Sequence, residues 1–357
     1  MVKGKKIKEP ARRKRKPKPD PLDQLQKSLP SATPKFVEPM KCKLLENLPR
    51  GDDWVYEIKF DGFRGLAIKN GTDVHLLSRN NLELGHKFPG VIRALAKLPW
   101  DQLVLDGEVV ALDEKGRSSF QLLQRAGDPG LKSGAVVYYA FDLLQINGKD
   151  TTMLPLMKRK ALLKTLVGGA SKTILISDVL EGNIDELSGA MQKVGLEGMI
   201  AKKRDSLYET GARSGSWIKF KWGHEQEFVI GGYTDPEGSR PYFGSVLVGY
   251  YAGNRLVFAG KVGTGFNARL LKSLHDRFQK ILLDRTPFSN LPERGGFLTA
   301  SQMRACKWTK PVLICQVRFS EWTQDGHLRQ PVFLGLREDK APRDVVKEIA
   351  SAEVVPG

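Results

Sequence analysis

The segment EIKFDGFR, residues 57–64, contains a lysine in a setting where covalent chemistry is possible. Lys59 ends a run of residues typical of a β-strand, and Asp61 and Gly62 follow as a tight turn. The turn redirects Arg64 toward the same place. A lysine is a nucleophile only when neutral, so its pKa of about 10.4 must be lowered by nearby cations or a metal. The segment therefore indicates a lysine nucleophile, with a surface hairpin of alternating charges as the alternative.

Two carboxylates and two further lysines lie in strand-like segments elsewhere. Glu108 is embedded in the apolar run LDGEVV, and Glu197 precedes the run GMIAKK. A carboxylate in an apolar strand is costly unless it is paired or binds a metal. Lys219 and Lys221 are two residues apart, so they lie on one face of a strand. Together these groups predict a site for a metal-bound triphosphate, although each could instead form a salt bridge or a solvated strand edge.

Other candidate residues follow in a fixed order along the chain. The segments SRN, YAFDLL and RQPVFLGLREDK each place polar or aromatic side chains within or at the end of a strand-like run. The candidates that these segments and EIKFDGFR add are Glu57, Arg79, Phe141, Arg337, Asp339 and Lys340. Each has an ordinary structural explanation alone, but it is improbable that all these explanations hold together in this order.

The elements that must position these residues change character along the chain. Before residue 223, runs rich in β-branched and aromatic residues predict strands, and segments with apolar residues three or four apart predict helices. Asn70 and Gly71 are expected to form a hairpin turn. The predicted strands are 54–59, 65–69, 73–78, 103–112, 135–144, 197–203 and 216–222, and the predicted helices are 118–126, 155–167 and 183–194. This pattern predicts an α+β domain over residues 35–222.

From residue 223 the sequence favours strands at short spacing with glycine-rich turns. A single helical segment, residues 266–283, interrupts them and carries its apolar residues on one face. Strands with one helix predict a small β-barrel of the OB type over residues 223–357. Because Lys59 and the segment RQPVFLGLREDK fall in different domains, we expect a hinge near residues 222–226. The barrel would close over Lys59 and open again about this hinge.

Composition and charge restrict the partners of this chain. It has 41% hydrophobic and 27% charged residues, no apolar run long enough to span a membrane, and no secretory signal. Three scattered cysteines make neither a disulfide framework nor a zinc site, so a cytoplasmic setting is the default. The net charge of +17 predicts a polyanionic partner, most often nucleic acid. We expect residues 1–34 to be a disordered basic arm that acts as a phosphate tether, a localisation signal or a solvated tail.

In this order the segments resemble motifs I, Ia, III, IIIa, IV, V and VI of the ATP-dependent DNA ligases, members of the covalent nucleotidyltransferase superfamily. The segment EWTQDGHLRQPVFLGLREDK, residues 321–340, resembles the ligase module of the bacterial LigD type. The resemblance extends over about residues 36–350. It implies a nucleotidyltransferase (adenylation) domain of antiparallel sheets with flanking helices, followed by an OB-fold β-barrel domain. The sequence departs from the family in two ways: it shows neither a large N-terminal DNA-binding domain nor the polymerase or phosphoesterase module that LigD proteins often carry. A stand-alone ligase is therefore expected.

The resemblance assigns the covalent chemistry to a few of these residues. Lys59 would attack the α-phosphate of ATP and form a lysyl–AMP intermediate as pyrophosphate leaves. Lys219 and Lys221 would neutralise the α-phosphate. The pyrophosphate would be oriented by Arg337, Asp339 and Lys340. AMP would then pass to a 5′-phosphate at a DNA break, and a 3′-hydroxyl would displace it and seal the strand.

The resemblance also assigns residues that bind the nucleotide and the metal. Glu57 would help recognise adenine, and Phe141 would stack on it. Arg64 and Arg79 would contact the ribose and phosphates of the nucleotide or of the DNA break. The metal, Mg²⁺ or Mn²⁺, would be bound by Glu108 and Glu197. The set that binds the nucleotide would also include Glu108, Lys219, Lys221, Arg337 and Lys340.

The partners that the resemblance implies are nicked or broken double-stranded DNA and a Ku-like end-binding protein, in DNA repair or end joining. A monomer without membrane association is the default, in the cytoplasm and nucleoid-associated if the source is bacterial. Two alternatives remain open. A capping guanylyltransferase or an RNA ligase shares the lysine nucleophile, and a non-catalytic DNA-binding protein could retain the fold. A metalloenzyme with Cys and His ligands is excluded, because the cysteines and histidines of this sequence are not spaced as metal ligands.

Overall fold

The structure, a computed structural model, describes residues 29–125, 136–236, 240–291, 298 and 300–351. Residues 1–28 of the predicted arm lie outside these ranges. The end of that predicted arm is ordered, because the backbone N–H of Asp150 donates to the carbonyl of Pro30 at 2.9 Å. The N–H of Ala32 likewise donates to the carbonyl of Gly148 at 2.9 Å. Ordered chain therefore begins before the predicted start of the first domain at residue 35.

The first part of the chain contains strands β1–β10 and helices α1–α4. The strands are β1 (Lys43–Leu44), β2 (Trp54–Lys59), β3 (Phe63–Asn70), β4 (Asp73–Ser78), β5 (Gln102–Ala111), β6 (Val136–Ile146), β7 (Lys149–Asp150), β8 (Ile174–Ile176), β9 (Gly198–Lys203) and β10 (Trp217–Lys221). The helices are α1 (Pro89–Ala96), α2 (Phe120–Gln124), α3 (Leu156–Val167) and α4 (Ile184–Lys193).

These strands pair into a larger and a smaller sheet. The larger sheet has the order β4-β3-β5-β6-β7, with β8 parallel to β6, and the smaller sheet has the order β1-β10-β9-β2. Helices α1 and α3 pack on the larger sheet, over a core that includes Leu105, Tyr138 and Leu163. The long strands β3, β5 and β6 are antiparallel, as are β2, β9 and β10.

The second part of the chain is a curved sheet with helices against it. Its elements are β11 (His224–Thr234), β12 (Val246–Ala252), β13 (Arg255–Val262), α5 (Ala268–Phe278), β14 (Leu282–Leu283), α6 (Ala300–Arg304), β15 (Cys306–Phe319), β16 (Glu321–Trp322), β17 (Leu328–Arg329) and β18 (Val332–Arg337). The sheet order is β13-β12-β11-β15-β14, and β18 also pairs with β15. Register shifts within β11, β12 and β15 bend the sheet around Phe228, Phe243 and Phe333.

Two helices differ from the prediction for the second part. The helix predicted over 266–283 ends at Phe278, because Leu282 and Leu283 pair with Thr309 and Trp308 of β15 as a strand. Tertiary pairing therefore overrides the helical period of this segment. Helix α6 is an additional helix that the sequence analysis did not predict.

The first part also contains a turn and a helix that differ from the prediction. Asn70 pairs with Asp73, so the two-residue hairpin loop is Gly71 and Thr72 rather than Asn70 and Gly71. Gly71 has φ +62°, which glycine adopts at no steric cost. Helix α1 was not predicted, since it is short and its proline at the start is also typical of a turn.

The barrel lies closed over the first part of the chain. Only Trp222 and Gly223 separate β10 from β11, at the position of the predicted hinge. An Nη1 of Arg337 in β18 donates to the carbonyl of Gly62 at 3.0 Å. A Cβ at Gly62 would lie 2.1 Å from the carbonyl oxygen of Val109, so glycine is required where the turn approaches β5.

In the described ranges, no helix is both long enough and apolar enough to span a membrane.

Candidate active site

A cavity of about 690 Å³ lies between the two sheets of the first part and the barrel. Every candidate site residue of the sequence analysis lines it. These residues are Glu57, Lys59, Arg64, Arg79, Glu108, Phe141, Glu197, Lys219, Lys221, Arg337, Asp339 and Lys340. These side chains are far apart in the sequence, and the sequence analysis had selected each of them as a candidate. The fold brings them together in one cavity.

Lys59 is the last residue of β2, and it lines the cavity. It lies opposite Gly198 of β9. A Cβ at Gly198 would be 2.0 Å from the carbonyl oxygen of Phe220, so only glycine lets the neighbouring strands pack this closely. The Lys59 ammonium forms an ion pair with the carboxylate of Glu197.

The pKa of Lys59 contradicts the prediction that its neighbours lower it. Burial alone would lower the pKa of Lys59, but the Glu197 carboxylate outweighs burial and raises that pKa above its ordinary value, with smaller effects from Asp61 and Glu108. The groups closest to the lysine are therefore carboxylates rather than cations. Lys59 is held protonated in this state, so it becomes a nucleophile only when the influence of Glu197 is removed or neutralised.

Near Lys59, the side chains of Glu108 and Asp61 have too few cationic partners to offset the cost of burying their charge. Burial raises the pKa of Glu108 to about 8, and burial together with Glu197 raises the pKa of Asp61 to about 7. Within the described ranges, Glu108 makes no ion pair or side-chain hydrogen bond. A half-buried carboxylate of this kind fits a divalent cation, which would stabilise its charged form.

The protein offers only part of a metal coordination shell. No group of three or more His, Cys, Asp or Glu side chains is placed to hold a metal among the residues that the structure describes. Glu108 and Glu197 are the available carboxylates, and Glu197 is engaged with Lys59. A magnesium ion usually takes one or two carboxylates together with water and substrate phosphates, which is what this donor set allows.

Lys219 and Lys221 of β10 face the cavity together, as their spacing predicted, and both contact Glu348. The Nζ of Lys219 lies 2.7 Å from Glu348 Oε1, and the Nζ of Lys221 lies 3.5 Å from Glu348 Oε2. Lys221 also donates to the carbonyl of Glu225 at 2.7 Å. Burial lowers the pKa of Lys219, although Glu348 opposes this effect. The lysine pair is thus exposed to the cavity but neutralised by a carboxylate of the chain.

Arg79, Arg337 and Lys340 form a second cationic group around Glu227 of β11. Oε1 of Glu227 lies 2.5 Å from Arg79 Nη2, and its Oε2 lies 2.6 Å from Lys340 Nζ. Asp339 accepts hydrogen bonds from Nε and Nη2 of Arg337 at 2.8 and 2.9 Å. The predicted residues of the last motif therefore meet Arg79 of the first domain in one charged cluster.

Glu57 is buried and forms ion pairs with two lysines, one of which lies over the ring of Phe141. Its Oε1 forms ion pairs with Lys160 and Lys202, each at 2.8 Å, and its Oε2 accepts a hydrogen bond from Ser177 at 2.7 Å. Burial alone would raise the pKa of Glu57, but the two lysines outweigh it and lower that pKa. The Lys202 ammonium lies 4.6 Å from the ring centroid of Phe141. Sequence reasoning selected Glu57 and Phe141 but missed both lysines.

Arg64 lines the cavity in a fixed orientation. Its Nε and Nη2 donate to the two carboxylate oxygens of Asp106 at 3.0 and 2.6 Å, and its Nη1 donates to the carbonyl of Met40 at 2.7 Å. The guanidinium also lies 5.4 Å from the Phe141 ring centroid. Arg64 is therefore anchored beside the aromatic ring that was expected to stack on adenine.

Two carboxylates that pair with the predicted cations of the cavity were missing from the sequence analysis. Glu227 precedes the apolar run FVIGGY of β11, but the residues before it, His224, Glu225 and Gln226, are also polar, so the sequence did not distinguish it. Glu348 lies beyond the last motif, and no spacing relates it to Lys219 and Lys221. Both residues contact predicted cations only through the tertiary fold.

Comparison with protein families gave two matches. Residues 34–221 match the family described as ATP dependent DNA ligase domain, and residues 239–340 match the ATP dependent DNA ligase C terminal region. The first match alone covers more than half of the chain.

Individual proteins of the same kind are also similar. The multifunctional non-homologous end joining protein LigD of Pseudomonas aeruginosa is 38% identical over 319 residues, which are 88% of this chain and 37% of that protein. The LigD protein of Mycobacterium tuberculosis, described as a multifunctional non-homologous end joining DNA repair protein, is 38% identical over 84% of this chain and 38% of its own length. The chain therefore spans less than two fifths of these curated relatives.

A solved structure extends the similarity to three dimensions. The structure described as mycobacterial DNA ligase D complexed with ATP and MES is 34% identical in sequence. It covers 86% of this chain and 98% of its own, with a TM-score of 0.60.

Proposed function

Because the chain belongs to the ATP-dependent DNA ligase family, we propose that its cavity joins a 5′-phosphate to a 3′-hydroxyl of DNA through a lysyl–AMP intermediate. Membership of this family confirms the predicted resemblance. It also confirms the predicted fold, an α+β nucleotidyltransferase domain followed by an OB-fold domain. ATP is the nucleotide of the family, so the cavity is assigned to ATP.

The observation that carries the proposal is the convergence of all candidate residues on one cavity around Lys59. A lysine nucleophile needs cations to receive the phosphates, a base pocket to orient the nucleotide and carboxylates near the reacting phosphate. Each of these is present on the cavity wall. A fold that had lost catalysis and kept only DNA binding would not need this complete set.

The first step forms a bond between Lys59 Nζ and the α-phosphorus of ATP. The bond from that phosphorus to the bridging oxygen breaks, and pyrophosphate leaves with the electron pair. Lys59, which is held as an ammonium, releases two protons to solvent in all, one to become a nucleophile and one as the N–P bond forms. Lys219 and Lys221 would release Glu348 and contact the α-phosphate as its charge develops. Arg337 and Lys340 would face the leaving pyrophosphate from the barrel.

A divalent cation fits this step at Glu108 and Glu197. It would supply charge neutralisation of the phosphates. Such a cation would also change the pKa of Lys59. If Glu197 turned to a cation, the ion pair that raises the pKa of Lys59 would weaken, and the lysine would lose its proton more readily.

The two later steps need DNA in the cavity. The 5′-phosphate of a break attacks the lysyl–AMP and releases Lys59, and the 3′-hydroxyl then attacks that phosphate and releases AMP. The barrel contacts Gly62 beside the nucleophile through Arg337, so it covers the path that DNA must take. We therefore expect the barrel to open about the junction at residues 222–223 after the first step.

A role in end joining is proposed on the basis of the LigD relatives, whose descriptions include non-homologous end joining. Nicked or broken double-stranded DNA is the expected substrate. A Ku-like end-binding partner, a monomeric state and an association with the nucleoid belong to the same proposal. The net charge of +17 supports a polyanionic substrate, because positive charge steers DNA binding.

Incubation with ATP radiolabelled at the α-phosphate and Mg²⁺ or Mn²⁺ tests the proposal. The protein should acquire a label that survives denaturing electrophoresis, and Lys59→Ala should acquire none. Unlabelled nicked DNA added afterwards should discharge the label and be sealed. Matched reactions with labelled GTP should leave the protein unlabelled, which separates this function from that of a guanylyltransferase.

Absence of label with either nucleotide, after bound AMP has been removed with pyrophosphate, would contradict the proposed function. Label on Lys59→Ala would contradict the assignment of the nucleophile. Label that is discharged by nicked RNA but not by nicked DNA would assign the protein to RNA ligation instead.

A further inference from the structure

Glu227 lies at the centre of the cationic group on the barrel side of the cavity. It is on β11, two residues after Glu225, and its side chain is 13% exposed. One carboxylate oxygen lies 2.5 Å from Arg79 Nη2 and 3.7 Å from Arg337 Nε, and the other lies 2.6 Å from Lys340 Nζ. A single carboxylate therefore contacts three cations that come from two domains.

The three cations depend on Glu227 to different degrees. Arg337 is also held by both oxygens of Asp339 and by the carbonyl of Gly62. Lys340, by contrast, pairs with Glu227 and with no other carboxylate in the described part of the chain. The orientation of the Lys340 ammonium therefore rests on Glu227 more than the orientation of Arg337 does.

The cluster retains capacity for an anion. The positive charges of Arg79, Arg337 and Lys340 are opposed by Glu227 and Asp339, which leaves one net positive charge. The buried Nε of Arg79 has no hydrogen-bond partner among the described residues. An ammonium group has three donors, and Lys340 uses one of them on Glu227. These unused donors suit the several oxygens of a polyphosphate.

We propose that Glu227 is a positioning residue that arranges Lys340 and Arg79 to receive the β- and γ-phosphates of ATP in the first step. This inference rests on the proposed lysyl–AMP chemistry. Glu227 does not contact the reacting atoms, and it acts through the two cations. Because Glu227 is on the barrel and Arg79 is on the first domain, the arrangement exists only while the barrel is closed.

Two consequences distinguish positioning from simple charge. Removal of a negative charge makes the cluster more positive, so charge alone predicts tighter binding of ATP in Glu227→Gln. Positioning predicts a slower reaction of bound ATP, because the leaving group is no longer aligned. The effect should also be confined to the first step, since the later steps need the barrel open and no longer involve pyrophosphate.

The test measures each step separately in the full chain. In Glu227→Gln, the rate of lysyl–AMP formation at saturating ATP should fall by at least about tenfold, as expected when an aligned charge contact to a transferred group is lost. The half-saturating ATP concentration should change by less than about threefold. Sealing of a nick that already carries a 5′-adenylate should stay within about twofold of the parent protein. Glu227→Asp, which keeps the charge, should recover part of the lost rate.

Glu321→Gln is the matched control, because Glu321 is also on the barrel, pairs with the exposed Arg329 at 2.6 Å and does not line the cavity. It should leave both measurements within about twofold. An unchanged adenylation rate in Glu227→Gln would overturn the inference, as would an equal loss in the sealing of the adenylated nick, which would indicate a merely structural role. The parent protein must acquire label in the same experiment, and failure there would concern the proposed function rather than Glu227.

Discussion

Glu227 and Glu348 both neutralise cations of the ATP cavity, but the fold holds them in different ways. Glu227 lies within the long strand β11, where it pairs with Gln316 of the neighbouring strand β15. Glu348 lies in a segment without regular structure, which we call the 345–351 segment. Its backbone N–H donates to the side chain of Gln226 at 2.9 Å, and Ser351 bonds to the edge of β1 through Leu44 at 3.2 Å.

The difference in support implies a difference in role. A carboxylate fixed within a paired strand can orient its partners throughout the reaction, whereas one held by a few edge contacts can be displaced at lower cost. We therefore expect ATP to keep Glu227 in place and to displace Glu348 from Lys219 and Lys221. Glu227 and Glu348 offset part of the positive charge of the closed cavity before ATP binds, and only Glu348 gives way to phosphate.

The largest expected effect comes from removing Lys219, one of the two lysines that pair with the displaceable Glu348. Lys219→Ala should lower the rate of lysyl–AMP formation at least about a hundredfold, because a preorganised charge facing the developing phosphate charge is lost. The measurement is the rate of label transfer from ATP at saturating nucleotide. Lys164→Ala, which removes an exposed lysine paired with Asp178, is the control and should have no effect. A loss smaller than about threefold in Lys219→Ala would end the assignment of Lys219 to the α-phosphate.

Residue types and their order identified the predicted cavity residues because each motif has a local chemical requirement. Lys59 follows a strand and precedes an aspartate–glycine turn, and that arrangement survives in the structure at the end of β2. The strands 54–59 and 73–78 were predicted with the bounds that the structure has. Both are short runs whose ends are marked by turn residues, so their limits are encoded locally.

Contacts between distant segments could not be predicted in the same way. The sequence places Glu197 before a strand but does not reveal that this strand pairs with β2, which brings the carboxylate to Lys59 and raises the pKa of the lysine. Glu348 meets Lys219 across more than a hundred residues of chain. The overlong helix prediction over 266–283 has the same origin, because the strand that competes for Leu282 comes later in the chain.

A substitution of Glu348 tests whether this carboxylate competes with ATP for Lys219 and Lys221, as Glu227 does not. In Glu348→Gln, Lys219 and Lys221 lose an internal competitor for phosphate, so the half-saturating ATP concentration for adenylation should fall by about fivefold. The maximal rate should stay within about twofold. This is the opposite of the expectation for Glu227→Gln, in which the maximal rate falls. Initial rates of label transfer over a series of ATP concentrations measure both parameters.

Glu321→Gln provides a control for that measurement, since Glu321 forms an exposed ion pair with Arg329 at 2.6 Å, outside the residues that line the cavity. It should leave both parameters unchanged. If Glu348→Gln raised the half-saturating concentration, Glu348 would be assisting the nucleotide rather than competing with it, and the distinction between the two carboxylates would fail.

The smallest expected effect concerns the pH dependence of stability at Glu348. Burial alone would raise the pKa of Glu348, but Lys219 and Lys221 outweigh it and lower that pKa from 4.5 to about 2. A carboxyl group whose pKa is lowered by folding stabilises the protein above its unfolded pKa, and this contribution is lost as the pH falls toward the folded value. The melting temperature of the parent protein should therefore exceed that of Glu348→Gln by about 4 °C near pH 7.

The substitution removes the charge of Glu348 but keeps nearly the same side-chain size, so the difference in melting temperature reports that charge. It should persist down to about pH 4.5 and shrink between there and about pH 2, as Glu348 of the parent protein becomes protonated. Thermal denaturation of the two proteins in parallel removes the contribution of every other titrating group. Equal melting temperatures near pH 7 would mean that the 345–351 segment is held by its backbone bonds to Gln226 and β1 rather than by the lysine pair. Glu348 would then be as firmly supported as Glu227, and the expected displacement by ATP would lose its physical basis.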